Sequence, residues 1–163
     1  METSTLFYVF IIILLIKYAL DTIINNLNAK HFNDTLPNEV SGVYEINEYQ
    51  KSQSYKKTNH NFNILTSLFS LIITLCFFFL DGFSIVDNFA KGISDNSIII
   101  TLIFFGIIII GSDIISLPFS LYRTFVIEEK FGFNKTTKKT FFLDKLKGLF
   151  MTITLGGTIL GLS

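Results

Sequence analysis

Three sets of residues in this sequence are of types that can do chemistry. Glu128 and Glu129 are adjacent carboxylates inside the stretch P-F-S-L-Y-R-T-F-V-I-E-E-K-F-G-F-N, which runs from Pro118 to Asn134. Two carboxylates sharing a proton could act as acid and base. Neighbours in sequence, however, point in different directions on a helix, so a dyad is not expected here. The two histidines could serve a metal hydrolase, which typically places two of them at i, i+4 with a glutamate between. His31 is followed by F-N-D-T and His60 by N-F-N-I, so neither builds that site, and both are read as loop residues. The third set is Lys17, Asp21 and Asp113, which interrupt apolar runs, where ionisable groups carry a functional reading by default.

Other chemistries are excluded by what is missing. The sequence has no G-x-S-x-G elbow, no phosphate-binding glycine loop and no cysteine cluster. Its one cysteine, Cys76, lies in an apolar run and is expected to be a small buried residue. Formal net charge is zero, so nothing points to nucleic acid as a partner.

The elements that carry these residues follow from composition. Half of the 163 residues are hydrophobic, 19 are phenylalanine and none is tryptophan, and charged residues make up 16 %. Soluble chains usually carry about 25 % charged residues. Mean hydropathy is +0.53, and the apolar residues fall into blocks, which indicates an integral membrane protein. The expected fold is an all-α, polytopic bundle of about four membrane helices, near residues 6–24, 62–80, 98–117 and 149–163, with two cytoplasmic helical loops. Phe62 to Leu80 is uncharged and would span roughly 28 Å at about 1.5 Å per residue, close to a hydrocarbon core of about 30 Å.

The first block lacks the basic n-region and cleavage site of a signal peptide, so a retained helix is expected. Lys17 and Asp21, at i, i+4, share a face of that helix. Asp113 interrupts the third block shortly before Pro118. Either it lines a polar cavity, or it sits near the cytoplasmic end bonded to a backbone group, Lys17 or Arg123; the second reading is favoured because enough uncharged helix precedes it. Asp81 to Ser97 reads as a short loop with Gly82 and Gly92. Pro118 should end or kink its helix near Leu117. Gly132 should break the following turn, and Thr136 or Thr137 could cap the next helix. Glu45 to Lys57 has helix-compatible composition and fits a juxtamembrane helix or an ordered loop. The last block, Leu149 to Ser163, is short of the about 20 residues a span needs, as in a truncated protein.

Charge sets the expected orientation, because cytoplasmic loops are rich in Lys and Arg. Lys30, Lys51, Lys56 and Lys57 lie between the first two blocks, and Lys91 alone between the next two. Arg123, Lys130, Lys135, Lys138, Lys139, Lys145 and Lys147 follow the third. Alternating crossings place loops 25–61 and 118–148 in the cytoplasm and the N-terminus outside.

Pro118, Tyr122, the run Thr124 to Lys130 (with Phe125, Glu128 and Glu129) and Gly132-Phe133-Asn134 resemble the segment shared by type-one CAAX prenyl proteases. Thr137, Phe141 or Phe142, Asp144 and Lys147 fit its continuation. Upstream, Glu48-Tyr49-Gln50-Lys51-Ser52, with Tyr55 and Phe62, resembles that family's first cytoplasmic loop. The resemblance covers nearly the whole chain and implies the N-terminal membrane region of a membrane-embedded zinc metalloendopeptidase, of bacterial type. It implies a chamber walled by membrane helices, a downstream protease domain of the same polypeptide with an H-E-x-x-H zinc site, and a peptide substrate, prenylated in eukaryotic members. Tyr49, Lys51, Ser52, Tyr55, Pro118, Tyr122, Phe125, Glu128, Glu129, Gly132, Phe133, Asn134 and Asp144 would then be structural or docking residues. No catalytic residue or zinc ligand maps onto this chain, which alone should be inactive. The alternative is a small, non-enzymatic four-helix membrane protein acting as an accessory or transport subunit. Membrane lipid is a partner in both readings.

Overall fold

A computed structural model describes residues 3–33 and 46–161 of the chain. Five α-helices follow in order: α1 (Thr3–Ala29), α2 (Ile46–Phe79), α3 (Gly82–Ile93), α4 (Ser97–Tyr122) and α5 (Lys138–Gly161). A short 3-10 turn, Lys30–Asn33, continues α1, and a π-helical segment, Arg123–Glu128, continues α4. Among the described residues there is no strand. Among the described residues three helices are long and apolar enough to cross a membrane: Thr5–Phe32, Ile46–Phe79 and Ser97–Glu128. The protein is an all-α, multi-pass membrane bundle, and large apolar side chains stand exposed along every span, as contact with lipid requires.

Each helix runs past its apolar block. Between Ile46 and Phe79 there is no glycine or proline, so α2 is one uninterrupted helix of 34 residues. Its polar first half, read from composition as helix or loop, is helix, and His60 is a helical residue, with its ring 5.8 Å from that of Phe32. The expected fourth block is the second part of α5, which begins at Lys138; Leu162 and Ser163 lie outside the described residues. Cys76, expected to be buried, is exposed. It shares the apolar side of α2 with Leu65, Leu68 and Ile72, where no second helix is needed to satisfy it.

The segment expected to be a loop between the second and third blocks is mostly helix α3. Asp81 breaks the chain at the end of α2 with φ 54°, and Gly82 follows it. A Cβ at Gly82 would come 2.5 Å from the Phe77 ring, so only glycine lets the chain turn this closely against that ring. Asn96 then starts α4, its side-chain oxygen accepting hydrogen bonds from the backbone N–H groups of Ile98 and Ile99.

The chain forms two compact units, Met1–Leu75 and Cys76–Ser163. In the second, Val86 and Ala90 are buried on α3, and Ile127 and Phe131 are buried where α4 ends. Pro118 does not end α4, which continues to Tyr122. Proline costs a helix one backbone bond and a clash with the preceding turn. Here the backbone stays helical and widens to π geometry from Arg123 to Glu128, a feature often found at functional sites.

Candidate functional site

The first unit holds a polar groove of about 560 Å³ between α1 and α2. On α1 it is lined by Leu14, Lys17, Tyr18, Asp21, Thr22 and Asn25. These positions recur every three or four residues and so form one helix face. The opposite face, with Ile12, Ile16, Leu20, Ile23 and Leu27, is apolar. On α2 the lining is Asn63, Thr66, Ser67, Ser70, Leu71 and Thr74, while Leu65, Leu68 and Ile72 point away. Lys17 Nζ lies 2.6 Å from Asp21 Oδ2, and this pair, predicted from its spacing, is largely exposed to the groove. Several hydroxyls are tied to their own helix: Thr66 donates to the Asn63 carbonyl at 3.1 Å, and Thr74 to that of Ser70 at 2.8 Å. Such back-bonding makes a hydroxyl tolerable at membrane depth. The ion pair has no such outlet. Sequence reading missed the α2 half of this groove; the three-to-four-residue recurrence of Asn, Thr and Ser within the uncharged block was the signal.

In the second unit, the end of α4, the π-helical turn and the start of α5 line a second, largely open cavity of about 540 Å³. Asp113, Thr124, Glu128, Phe141, Asp144 and Lys145 contribute to its wall. Asp113 accepts from Lys145 Nζ at 3.3 Å. Arg123, a side-chain partner named from sequence within this unit, does not make this contact. The true partner is 32 residues further on and comes within reach only because α5 packs on α4. Phe125 meets Phe141 edge-to-face at 5.6 Å and closes one side. If this pair fixes α5 on α4, Lys145→Asp, which sets two carboxylates against each other, should lower thermal stability, and Asp113→Lys combined with Lys145→Asp should recover most of the loss. A double variant as unstable as the sum of the singles would show no pairing.

Beside the cavity, the chain turns through Gly132. Its N–H donates to the Glu129 carbonyl at 3.0 Å, and the Phe133 N–H donates to the Glu128 carbonyl at 2.9 Å. These are the two bonds of a Schellman cap, and Gly132 has the left-handed φ of 72° that the cap demands. Asn134 locks the far side: its Nδ2 donates to Glu129 Oε2 at 2.8 Å, and its Oδ1 accepts from the Thr136 N–H at 2.7 Å. Thr137 caps α5, its Oγ1 accepting from the Thr140 N–H at 3.2 Å. Glu128 thus faces the cavity and Glu129 the turn, so the adjacent carboxylates do separate jobs.

Of the residues singled out in sequence, Glu128 and Asp144 line this cavity, Phe125 meets Phe141 of its wall edge-to-face, and Glu129, Gly132, Phe133 and Asn134 build the adjoining turn. Pro118 and Tyr122 are exposed on α4. Asp144 also lies 3.7 Å from Lys147. Tyr49, Lys51, Ser52 and Tyr55 belong to the first unit, on the opening turns of α2, where Lys51 is exposed and the other three are half-buried. Among the described residues no group of three or more His, Cys, Asp or Glu side chains could hold a metal ion.

Comparison with known proteins covers both units. A family model described as CAAX prenyl protease N-terminal, five membrane helices, matches residues 25–163. The probable CAAX prenyl protease 1 of Schizosaccharomyces pombe is 31% identical over 160 residues, covering 86% of this chain and 34% of its own length. The CAAX prenyl protease 1 homolog of Arabidopsis thaliana is 34% identical over 135 residues, covering 77% of this chain and 31% of its own. The crystal structure of S. mikatae Ste24p superposes with a TM-score of 0.87 at 26% identity, over 96% of this chain and 38% of that one. This chain therefore spans about a third of the length of the relatives it matches. With α-helical spans, the Gly132 turn and this similarity in agreement, the chain belongs to the CAAX prenyl protease N-terminal family and is homologous to the N-terminal membrane region of those proteins.

Proposed function

We propose that this chain serves as the N-terminal membrane region of a zinc metalloendopeptidase, forming part of an intramembrane chamber wall and a scaffold for a protease domain of the same polypeptide. The observation that carries this reading is the joint match in sequence and fold to CAAX prenyl proteases over nearly the whole chain. The polar groove between α1 and α2 supports the wall: a face bearing an ion pair, amides and hydroxyls suits water, while the apolar backs of the same helices suit lipid. The Gly132 turn and its neighbouring cavity support the scaffold, because they are built from the residues that most resemble the family.

The described residues do not fit zinc, and no chemical step is assigned to this chain; under this reading the metal and its catalytic carboxylate would be held by the protease domain. The substrate would be a polypeptide cleaved near its C-terminus. Zinc content and hydrolysis of a C-terminally prenylated peptide should both be found in the complete gene product and be absent from residues 1–163 purified alone. Stoichiometric zinc and hydrolysis by residues 1–163 would overturn the assignment, and so would a complete product without zinc.

The charge pattern supports the orientation proposed with this function, with the N-terminus outside and the basic region after α4 in the cytoplasm. A cysteine replacing Lys138 should be labelled by an impermeant thiol reagent only from the cytoplasmic side of sealed vesicles. Labelling from outside would reverse the orientation.

A further inference from the structure

Helix α3 has a feature that neither the groove nor the Gly132 turn accounts for. It is 12 residues long, about 18 Å at about 1.5 Å per residue, and cannot cross a hydrocarbon core of about 30 Å. One face is spent on the protein: Val86 is 8% exposed and Ala90 fully buried, with α3 packed on α4. The Phe83 ring meets those of Phe77 and Phe78 edge-to-face at 4.8 and 5.1 Å, and stacks near Phe104 of α4 at 6.4 Å. Flanking that face, Ile85, Phe89 and Ile93 recur every fourth residue and stay exposed, at 62%, 60% and 57%. The remaining arc carries Ser84, Asp87, Asn88 and Lys91, with Lys91 Nζ 2.6 Å from Asp87 Oδ2.

We infer that α3 is an interfacial helix, whose Ile85–Phe89–Ile93 stripe inserts at the boundary between lipid headgroups and acyl chains. Continuity with the lipid-facing surface identifies the occupant. The end of α2 exposes Phe79 and Leu80, and the start of α4 exposes Ile98 and Ile99, within a few residues of α3 on either side. Both of those helices are membrane spans, so α3 is held where a span meets the headgroups. A helix with an apolar stripe on one side and an ion pair on the other is stable at that depth and nowhere else in a bilayer. The stripe on α3 then anchors one end of α4, opposite the end that carries the π-helical turn. A helix that stays at the surface also preserves the alternation of crossings between α2 and α4.

Nitroxides placed singly at Ile85, Phe89, Asn88 and Lys91 of the complete protein in phosphatidylcholine vesicles test this. Labels at 85 and 89 should collide with oxygen and be shielded from an aqueous nickel chelate, whereas labels at 88 and 91 should show the reverse. Nickel access at 85 and 89 would place the stripe in water, and exclusion of both reagents would place it under protein; either result overturns the inference. The chain has no tryptophan, so Phe89→Trp and Asn88→Trp give a second reading by difference from the parent protein. Lipids brominated near the headgroup should quench the first at least several-fold more than the second. Equal quenching would sink the proposal even if a nitroxide disturbed the fold.

Discussion

Replacing Gly132 with valine should produce the largest loss of stability of any single change in the α4–α5 connection. The residue sits at φ 72°, where a Cβ crowds the following carbonyl and costs an ordinary residue roughly 1–2 kcal/mol. A β-branched side chain is worse placed still. The Schellman bonds from Gly132 to Glu129 and from Phe133 to Glu128 depend on that φ. If valine rotates out of it, both carbonyls lose their partners, at about 1 kcal/mol net for each bond. Strain and lost bonds are alternative routes to the same loss, so the expected destabilisation is about 2 kcal/mol. Gly132→Asn should cost much less, since asparagine tolerates the left-handed region. The measurement is thermal unfolding of the purified protein in detergent, with amide exchange at residues 132 and 133. A valine variant that melts with the parent, and keeps both amides protected, would show that the turn is not fixed by Gly132. If this turn also scaffolds the protease domain, peptidase activity of the complete protein should fall with the valine change and largely survive the asparagine one.

The second large effect is a contrast in thiol chemistry along α2. Only the thiolate reacts with methanethiosulfonates, and it forms where water reaches the thiol. A charged reagent is also excluded from hydrocarbon, at roughly 2.5–3.5 kcal/mol per charge, on the order of a hundredfold in local concentration. Cysteines replacing Ser67 and Ser70, which line the groove with Asn63 and Thr74, should therefore react with a charged, water-soluble reagent. Cysteines replacing Leu65 and Leu68, on the opposite face, should react on the order of a hundredfold more slowly. Cys76 lies on that same apolar side, and its background reaction is measured in the parent protein and subtracted. Equal rates on the two faces would mean that the groove is filled by lipid or by another part of the protein, and the chamber-wall reading would fail with it.

The helices were legible wherever a local rule decides. Blocks of apolar residues mark spans because a membrane has no water to satisfy a broken backbone. Gly132 could be read as a stop and Thr136 or Thr137 as a start, since capping depends on a few adjacent residues, and the structure uses Thr137. Lys17 and Asp21 were paired by spacing alone. The limits of helices were less legible. The start of α2 was placed at Phe62, where hydropathy rises, although nothing between Ile46 and Phe62 breaks a helix. Asp81 to Ser97 reads as a loop from its glycines at 82 and 92, where the structure has helix α3, a 12-residue helix that is marginal alone. It exists by burying Val86 and Ala90 against α4, a gain invisible within its own sequence.

By itself, the sequence determined the membrane class, the all-α fold and, through residues 118–134, the family. These follow from hydrophobicity and from turn residues, which act over one or two helical turns. Only the tertiary structure decided partners: that Asp113 pairs with Lys145, that Glu128 faces a cavity while Glu129 holds Asn134, and that polar stripes on α1 and α2 face one groove. A hydrogen bond acts only at about 3 Å, and exposed charges are screened beyond about 10 Å. Which groups come that close is set by how helices far apart in sequence pack together.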